Sequence, residues 1–170
     1  NYAIFTSFKT IIKKCLQLYP GDHLFSLILG DIYAKEKQYE EAIQYYKAAL
    51  HSAIIKDQYI YNKLIEIYFQ QNNFEDIIDI ANKALDRFPF SPEFYYYKAL
   101  ALLNENKHNL CLESLLKGKD LVVDNDNLLS DFYSIIGDCY HYLENNKSSD
   151  DAYTESLKYN NKNTFVLNNY

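Results

Sequence analysis

The chain has 170 residues, of which 48% are apolar and 24% are charged. This composition is typical of a chain that folds around a buried core, and only four glycines and three prolines interrupt it, which favours an all-α fold. The net charge of −6 argues against nucleic-acid binding through phosphates, and no apolar run is long enough to insert this segment into a membrane.

The cysteine and methionine content indicates a cell compartment and whether the sequence is a fragment. Three cysteines at wide spacings do not make a disulfide framework, and free thiols are compatible with a reducing compartment such as the cytoplasm. The sequence contains no methionine, not even an initiator. We therefore expect a fragment of a longer chain, with any targeting signal outside it.

A repeat of about 34 residues runs through most of the chain. The segment GDIYAKEKQYEEAIQYYKAAL, from Gly30, aligns without a gap with GDCYHYLENNKSSDDAYTESL, from Gly137. Two more copies lie between these segments. We place the first to fourth copies at 23–56, 58–91, 92–125 and 130–163.

Each copy predicts two helices joined by a tight turn. Short polar breaks interrupt the copies at 35–38, 70–73, 104–107 and 144–146, which leaves room only for a turn between antiparallel helices. Apolar residues recur three or four apart on both sides of each break, so every helix carries one apolar stripe. In the first helices the stripes are Leu29 and Tyr33; Tyr61, Leu64 and Tyr68; Tyr95, Ala99 and Leu102; and Tyr133, Ile136 and Tyr140.

The ends of the chain and the third copy depart from this pattern. Residues 1–20 are interpreted as the second helix of a preceding copy, and residues 164–170 as the start of a further one. Extra residues at 126–129 predict a lengthened helix or loop before the fourth copy. The third copy has less usual residues at the repeat positions Ala99, His108, Cys111 and Lys119.

The recurring residues resemble the signature of the tetratricopeptide repeat (TPR) family. The first copy carries Leu29-Gly30, Tyr33, Ala42 and Tyr46, and the fourth carries Gly137, Tyr140 and Tyr153 in the same register. The resemblance implies a single α-solenoid domain over 1–170, in which stacked helical hairpins form a right-handed superhelix. It also implies a non-catalytic scaffold or adaptor that binds a protein or peptide in a concave groove lined by the first helices.

Carrying the groove positions of that family onto this chain gives a set of candidate binding residues. Acidic side chains among them argue against a clamp for a peptide carboxylate, because like charges repel. We expect a neutral or basic partner with apolar anchors, although most of the tyrosines are interpreted as structural filler. The candidates are Asp31, Tyr59, Asn62, Glu66, Phe69, Tyr96, Tyr97, Asp138 and Tyr142.

No motif predicts catalysis, a cofactor or a metal. The chain lacks a glycine-rich phosphate loop, a G-x-S-x-G elbow and an H-E-x-x-H helix. Four potential zinc ligands have spacings that match no known structural zinc pattern, so we interpret the cysteines as packed thiols. Asp22, Asp57 and Ser91 precede first helices and are interpreted as N-caps. The four potential ligands are His108, Cys111, Cys139 and His141.

Two other functions stay open at this point. The repeats could be a structural spacer or a module that self-associates through exposed end repeats. They could equally hold the substrate of a larger enzyme whose catalytic domain lies outside these residues.

Overall fold

A computed structural model describes residues 2–51 and 57–169, which contain α-helices and short connections and no strand. Residues 52–56, which end the predicted first copy, lie outside the described residues, as do residues 1 and 170 of the predicted terminal segments. The helices are α1 (Tyr2–Leu18), α2 (His23–Lys35), α3 (Tyr39–Leu50), α4 (Gln58–Gln70), α5 (Phe74–Arg87), α6 (Pro92–Asn104), α7 (His108–Lys119), α8 (Asp126–Tyr142), α9 (Asn146–Tyr159) and α10 (Thr164–Asn169).

The chain divides into two compact units, Asn1–Gln71 (unit 1) and Asn72–Tyr170 (unit 2). In unit 1 α1 packs on α2, α2 on α3 and α3 on α4, and in unit 2 consecutive helices from α5 to α10 pack on each other in the same way. This sequential packing is what short connections between amphipathic helices produce, because neighbouring helices bury their apolar stripes against each other.

Each predicted tight turn contains one residue in the left-handed conformation. These residues are Lys37, Asn72, Asn106 and Glu144, with φ between 53° and 59°. In the first of these turns the amide of Lys37 donates to Ala34 and that of Gln38 to Tyr33, which satisfies carbonyls at the end of α2. Because all four turns share this geometry, counting from the left-handed residue gives a structural register that compares the copies.

Close helix approach depends on three glycines. A Cβ atom on Gly30 would lie 2.6 Å from the Tyr46 ring, and one on Gly137 would lie 2.4 Å from the Tyr153 ring. A Cβ on Gly118 would lie 2.6 Å from the Cβ of Tyr95 and 2.7 Å from the Phe132 ring. Each glycine therefore leaves the space that an aromatic residue of a neighbouring helix fills.

The predicted helix starts are partly confirmed. The Asp22 side chain accepts a hydrogen bond from the amide of Leu24, and Asp57 accepts one from Tyr59, both at 2.8 Å. Ser91 is the N-cap residue of α6, as predicted, but its side chain forms no capping hydrogen bond, and Pro92 follows it in the first turn. The extra residues at 126–129 lengthen a helix, since α8 begins at Asp126 and has 17 residues.

Within the described part of the chain, no helix combines the length and the apolarity needed to cross a bilayer.

Candidate functional site

A cavity of about 530 Å³ lies between α2, α3 and α4 of unit 1. Three of the predicted groove residues, Asp31, Tyr59 and Glu66, line it. Asp31 comes from the first copy and the other two from the second, and the packing of α2, α3 and α4 brings all three to one place. A concave site of this size is typical of those that hold a peptide side chain or a short segment.

The Asp31 carboxylate organises the wall of this cavity. Its Oδ1 atom accepts one hydrogen bond from the Tyr46 hydroxyl at 2.7 Å and a second from the Tyr59 hydroxyl at 2.9 Å. Tyr46 is fully buried on α3, whereas Tyr59 stands 39% exposed at the start of α4. One carboxylate thus ties three helices together and holds an exposed aromatic ring in a fixed position.

Burial and the Asp31 carboxylate act together on these two tyrosines. Burial raises the pKa of Tyr59 to about 12, and its hydrogen bond to Asp31 adds to the effect. The pKa of Tyr46 is raised further, first by burial and then by the same carboxylate. Both hydroxyls therefore stay protonated near neutral pH and act as hydrogen-bond donors.

The cavity also contains cationic groups beside the candidate binding residues. Lys35, Lys37 and Lys63 line it together with the two carboxylates, and Lys63 pairs with Glu66 at 2.9 Å. Charges of both signs therefore surround the opening. The acidic tendency expected from Asp31 and Glu66 alone is offset at this cavity.

Further lining residues come from α3 and from the end of α4. Tyr39, Tyr46 and Gln70 line the cavity, and the Tyr39 hydroxyl donates to the Gln70 side chain. Tyr39 and Tyr46 were not predicted because the family resemblance directs attention to first helices, and these two residues lie on a second helix. The shared register of Tyr46 and Tyr153, each fifteen residues after an aspartate, was the available signal.

The remaining predicted residues of unit 1 lie on α4 outside the cavity lining. Asn62 is exposed and Phe69 is half-buried. The cavity thus unites three of the five residues that were predicted in this unit.

The predicted residues of unit 2 do not form an equivalent arrangement. Tyr96 is half-buried with its ring 5.4 Å from Phe132 and 6.2 Å from Tyr97. Burial, followed by the charge of Asp131, raises the pKa of Tyr96 to about 12. Packing on Phe132 therefore accounts for much of the Tyr96 surface.

Asp138 and Tyr142 occupy the later part of α8. The Asp138 Oδ1 atom accepts a hydrogen bond from Tyr153 at 2.7 Å, which reproduces the pairing of Asp31 with Tyr46. Tyr142 is 60% exposed, and its ring stacks on His108 at 4.5 Å between centroids. Tyr142 thus offers accessible aromatic surface, while the carboxylate of Asp138 positions a tyrosine.

The cysteines considered as metal ligands are packed in the core of unit 2. Cys111 and Cys139 are fully buried, and their sulfur atoms lie 3.1 Å apart. The contact with Cys139, together with burial, raises the pKa of the Cys111 thiol well above its usual range. Over the residues that the structure describes, no group of three or more histidine, cysteine, aspartate or glutamate side chains could hold a metal ion.

Three solved structures with the same fold cover between 65% and 99% of this chain. YrrB, a TPR protein with an unusual peptide-binding site, superposes with a TM-score of 0.79 at 15% identity, over 99% of this chain and 84% of that one. MamA gives a TM-score of 0.76 at 19% identity, over 94% and 91% of the two chains. The first TPR of Spaghetti (RPAP3), bound to the HSP90 peptide SRMEEVD, gives 0.59 at 19% identity, over 65% and 84%.

These likenesses establish an all-α helical-repeat fold of the solenoid class. No curated protein matches the sequence. Family models described as tetratricopeptide repeat match residues 11–58, 62–109 and 130–163. Those ranges include well over half of the chain and contain Gly30, Gly137 and the four turns described above. The chain therefore belongs to the tetratricopeptide repeat family.

Proposed function

We propose that this chain is a non-catalytic scaffold that binds a peptide segment of a partner protein at the cavity between α2, α3 and α4. Proteins of this family are generally interaction modules, and two of the similar structures are described with a peptide-binding site or a bound peptide. The proposal takes the four copies at 23–56, 58–91, 92–125 and 130–163 as units of one TPR domain.

The observation that carries the proposal is the fixed aromatic wall of the cavity. Tyr59 is partly exposed, yet its hydroxyl is held by Asp31, so little side-chain freedom remains to be lost when a partner binds. Tyrosine is also among the residues that contribute most at protein interfaces, because one ring gives apolar contact and a polar tip.

The mixed charge of the cavity narrows the chemistry of the partner. Asp31 and Glu66 can accept hydrogen bonds, while Lys35, Lys37 and Lys63 can donate them. A neutral segment with an apolar anchor satisfies both sets through its backbone amides and carbonyls. A strongly basic or strongly acidic segment would meet like charge on one side of the opening.

A random-peptide display library, selected on the 170-residue chain, tests this proposal. We expect enriched peptides to carry an apolar or aromatic anchor and few charges. Synthetic versions should bind a Tyr59→Ala, Glu66→Ala double variant at least about tenfold more weakly, since central aromatic residues of an interface typically contribute more than 1 kcal/mol.

A matched control uses a residue of the same unit outside the cavity. Gln44 is exposed on α3 and does not line the opening, so Gln44→Ala should bind the selected peptides like the parent chain. Circular dichroism confirms that each variant keeps its helices. Equal affinity for the parent and the double variant would refute the cavity as the binding site.

A further inference from the structure

The third copy contains a cleft of about 310 Å³ on the side of its second helix, between α5, α6 and α7 of unit 2. Its floor includes Ile78 and Leu102, and Leu110 lies at its edge. None of the predicted groove residues lines this cleft. It arises where the third copy departs from the pattern of the other copies.

Counting back from the left-handed turn residue shows the first departure. The residue eight positions earlier is Leu29, Leu64 and Ile136 in the first, second and fourth copies, and each of these is buried. In the third copy that position is Lys98, which is half-buried and lines the cleft. The third copy thus has a lysine at a position where the other three copies have a buried leucine or isoleucine.

A second departure removes volume from the same region. The residue four positions before the left-handed residue is a tyrosine in three copies, namely Tyr33, Tyr68 and Tyr140, and is Leu102 in the third. Leucine is smaller than tyrosine, so it leaves space that the ring fills elsewhere. Leu102 is itself only 3% exposed, which makes the floor of the cleft part of the packed core.

A third departure adds apolar surface at the edge. Four positions after the left-handed residue the other copies have Glu41, Asp76 and Ser148, whereas the third copy has Leu110. Leu110 is 53% exposed. An apolar side chain therefore stands where the repeat otherwise places a polar one.

The frame of the cleft is rigid before any partner arrives. The Ser114 hydroxyl donates to the carbonyl of Tyr95 at 3.0 Å, which joins α7 to α6 beneath the opening. Gly118 lets the same two helices approach closely, since a Cβ there would overlap Tyr95. A preformed site binds with less loss of conformational freedom than a flexible one.

The charges around the cleft favour an anionic group. Glu113 pairs with Lys117 at 2.7 Å, and its pKa is lowered first by Lys117 and then by the charge of Lys98. One glutamate thus serves two lysines, and a further carboxylate bound beside Lys98 would form a charge-assisted hydrogen bond with it. With two lysines and one glutamate, the opening carries a positive excess on a chain whose net charge is −6.

We propose that the α5–α6–α7 cleft is a second docking site, which binds an acidic peptide segment with a leucine-like side chain next to an aspartate or glutamate. The apolar side chain packs against Ile78, Leu102 and Leu110. The carboxylate of the neighbouring residue pairs with Lys98 and is attracted by Lys117. This site does not depend on the cavity of unit 1, so either can fail without the other.

Short probes test the two parts of this recognition separately. The dipeptide Ac-Leu-Asp-NH2 is titrated into the ¹⁵N-labelled 170-residue chain, and amide shifts are followed by nuclear magnetic resonance. We expect saturable shifts centred on Ile78, Leu110 and Ser114. The neutral analogue Ac-Leu-Asn-NH2 should bind at least about threefold more weakly, because it lacks the charge that pairs with lysine. Ac-Gly-Asp-NH2, which lacks the apolar side chain, should also bind more weakly.

Variants decide whether the cleft itself is responsible. Lys98→Leu restores the residue type of the other copies, fills the cleft and should abolish the shifts while the chain keeps its fold. Leu110→Ala removes only exposed apolar surface and should weaken binding without disturbing the core. Lys158→Leu, the same exchange at an exposed position on α9, should leave binding unchanged.

Three results would overturn the docking site. Equal affinities for the aspartate and asparagine probes would remove the role of charge. Shifts centred on residues away from α5, α6 and α7 would place binding elsewhere. Unchanged binding by both Lys98→Leu and Leu110→Ala would show that the cleft is not the site.

Discussion

The first and third copies place their glycine on opposite helices of the hairpin. In the first copy Gly30, on the first helix, faces the Tyr46 ring of the second helix. In the third copy the corresponding residues are Ala99 and Leu115, and the glycine is Gly118, on the second helix, where it faces Tyr95 and Phe132. Close approach of the two helices is therefore common to both copies, whereas the position of the glycine that permits it differs.

This exchange has consequences for the surface of each copy. The first copy keeps Leu29 and Tyr33 in its core and places its accessible cavity beside Asp31. The third copy has Lys98 and Leu102 at those two core positions, and its cleft opens beside α5 and α7. The third copy departs from the repeat signature, and it has a cleft at that place while Leu102 stays packed in the core.

The largest expected effect concerns the glycine of the third copy. Gly118→Ala should lower the free energy of unfolding by about 1–3 kcal/mol, the usual cost of overpacking a core. The new methyl group would meet the Cβ of Tyr95, which cannot move unless α6 moves. Denaturant unfolding followed by circular dichroism measures the change.

The control for this substitution is a glycine with open space around it. A Cβ on Gly21 would meet nothing within 4 Å, so Gly21→Ala should change stability by no more than about 1 kcal/mol. If Gly118→Ala and Gly21→Ala behave alike, α6 and α7 do not pack as closely as the structure has them.

The next effect tests whether the glycine and its aromatic partner act as one unit. Gly137→Ala in the fourth copy should destabilise the chain because the new methyl group overlaps the Tyr153 ring. Combining it with Tyr153→Leu reproduces the pair Ala99 and Leu115 of the third copy. We expect the double variant to lose less stability than the sum of the two single variants, by about 1 kcal/mol.

Strict additivity of the two substitutions would contradict this coupling. It would mean that the two residues contribute to stability independently. The hydroxyl that Tyr153 loses also donates to Asp138, so a Tyr153→Phe variant separates the lost hydrogen bond from the change in volume.

The fold was predictable from the sequence because its signals are local and repeated. Polar breaks at 35–38 and 104–107 predicted the turns, and apolar spacing predicted the helices on either side. The left-handed residues in those turns were less predictable, since Lys37 and Glu144 are neither glycine nor asparagine. Each turn alone is weakly predicted by its sequence, but a polar break at the same place in all four copies made the prediction firm.

The site was predictable only in part because it depends on contacts between copies. Asp31 and Tyr59 were predicted as groove residues, but their hydrogen bond requires α2 and α4 both to pack on α3. Lys98 was not predicted as a site residue. That it replaces a buried leucine or isoleucine of the other copies becomes visible only when the copies are aligned on their left-handed turn residues. Such pairings join residues far apart in the chain, beyond the reach of periodicity.

The smallest expected effect concerns the hydrogen bond that distinguishes the cavity of the first copy. Tyr59→Phe removes one bond at a partly exposed site and should cost less than about 1 kcal/mol near neutral pH. The difference in the free energy of unfolding between the parent chain and this variant should change as the pH becomes alkaline. The folded chain raises the pKa of Tyr59 to about 12, so it binds this proton more tightly than the unfolded chain does.

The sign of that dependence follows from the raised pKa. The stabilisation is complete below the ordinary tyrosine pKa of roughly 10 and is lost as the pH rises to about 12. Across this window the parent chain should lose more stability than Tyr59→Phe. In an Asp31→Asn variant the Tyr59 phenol should ionise at lower pH, which ultraviolet difference titration against the matching Tyr59→Phe variant measures. An unchanged midpoint would mean that Asp31 does not hold the ring, and that the cavity wall lacks the rigidity on which peptide binding there depends.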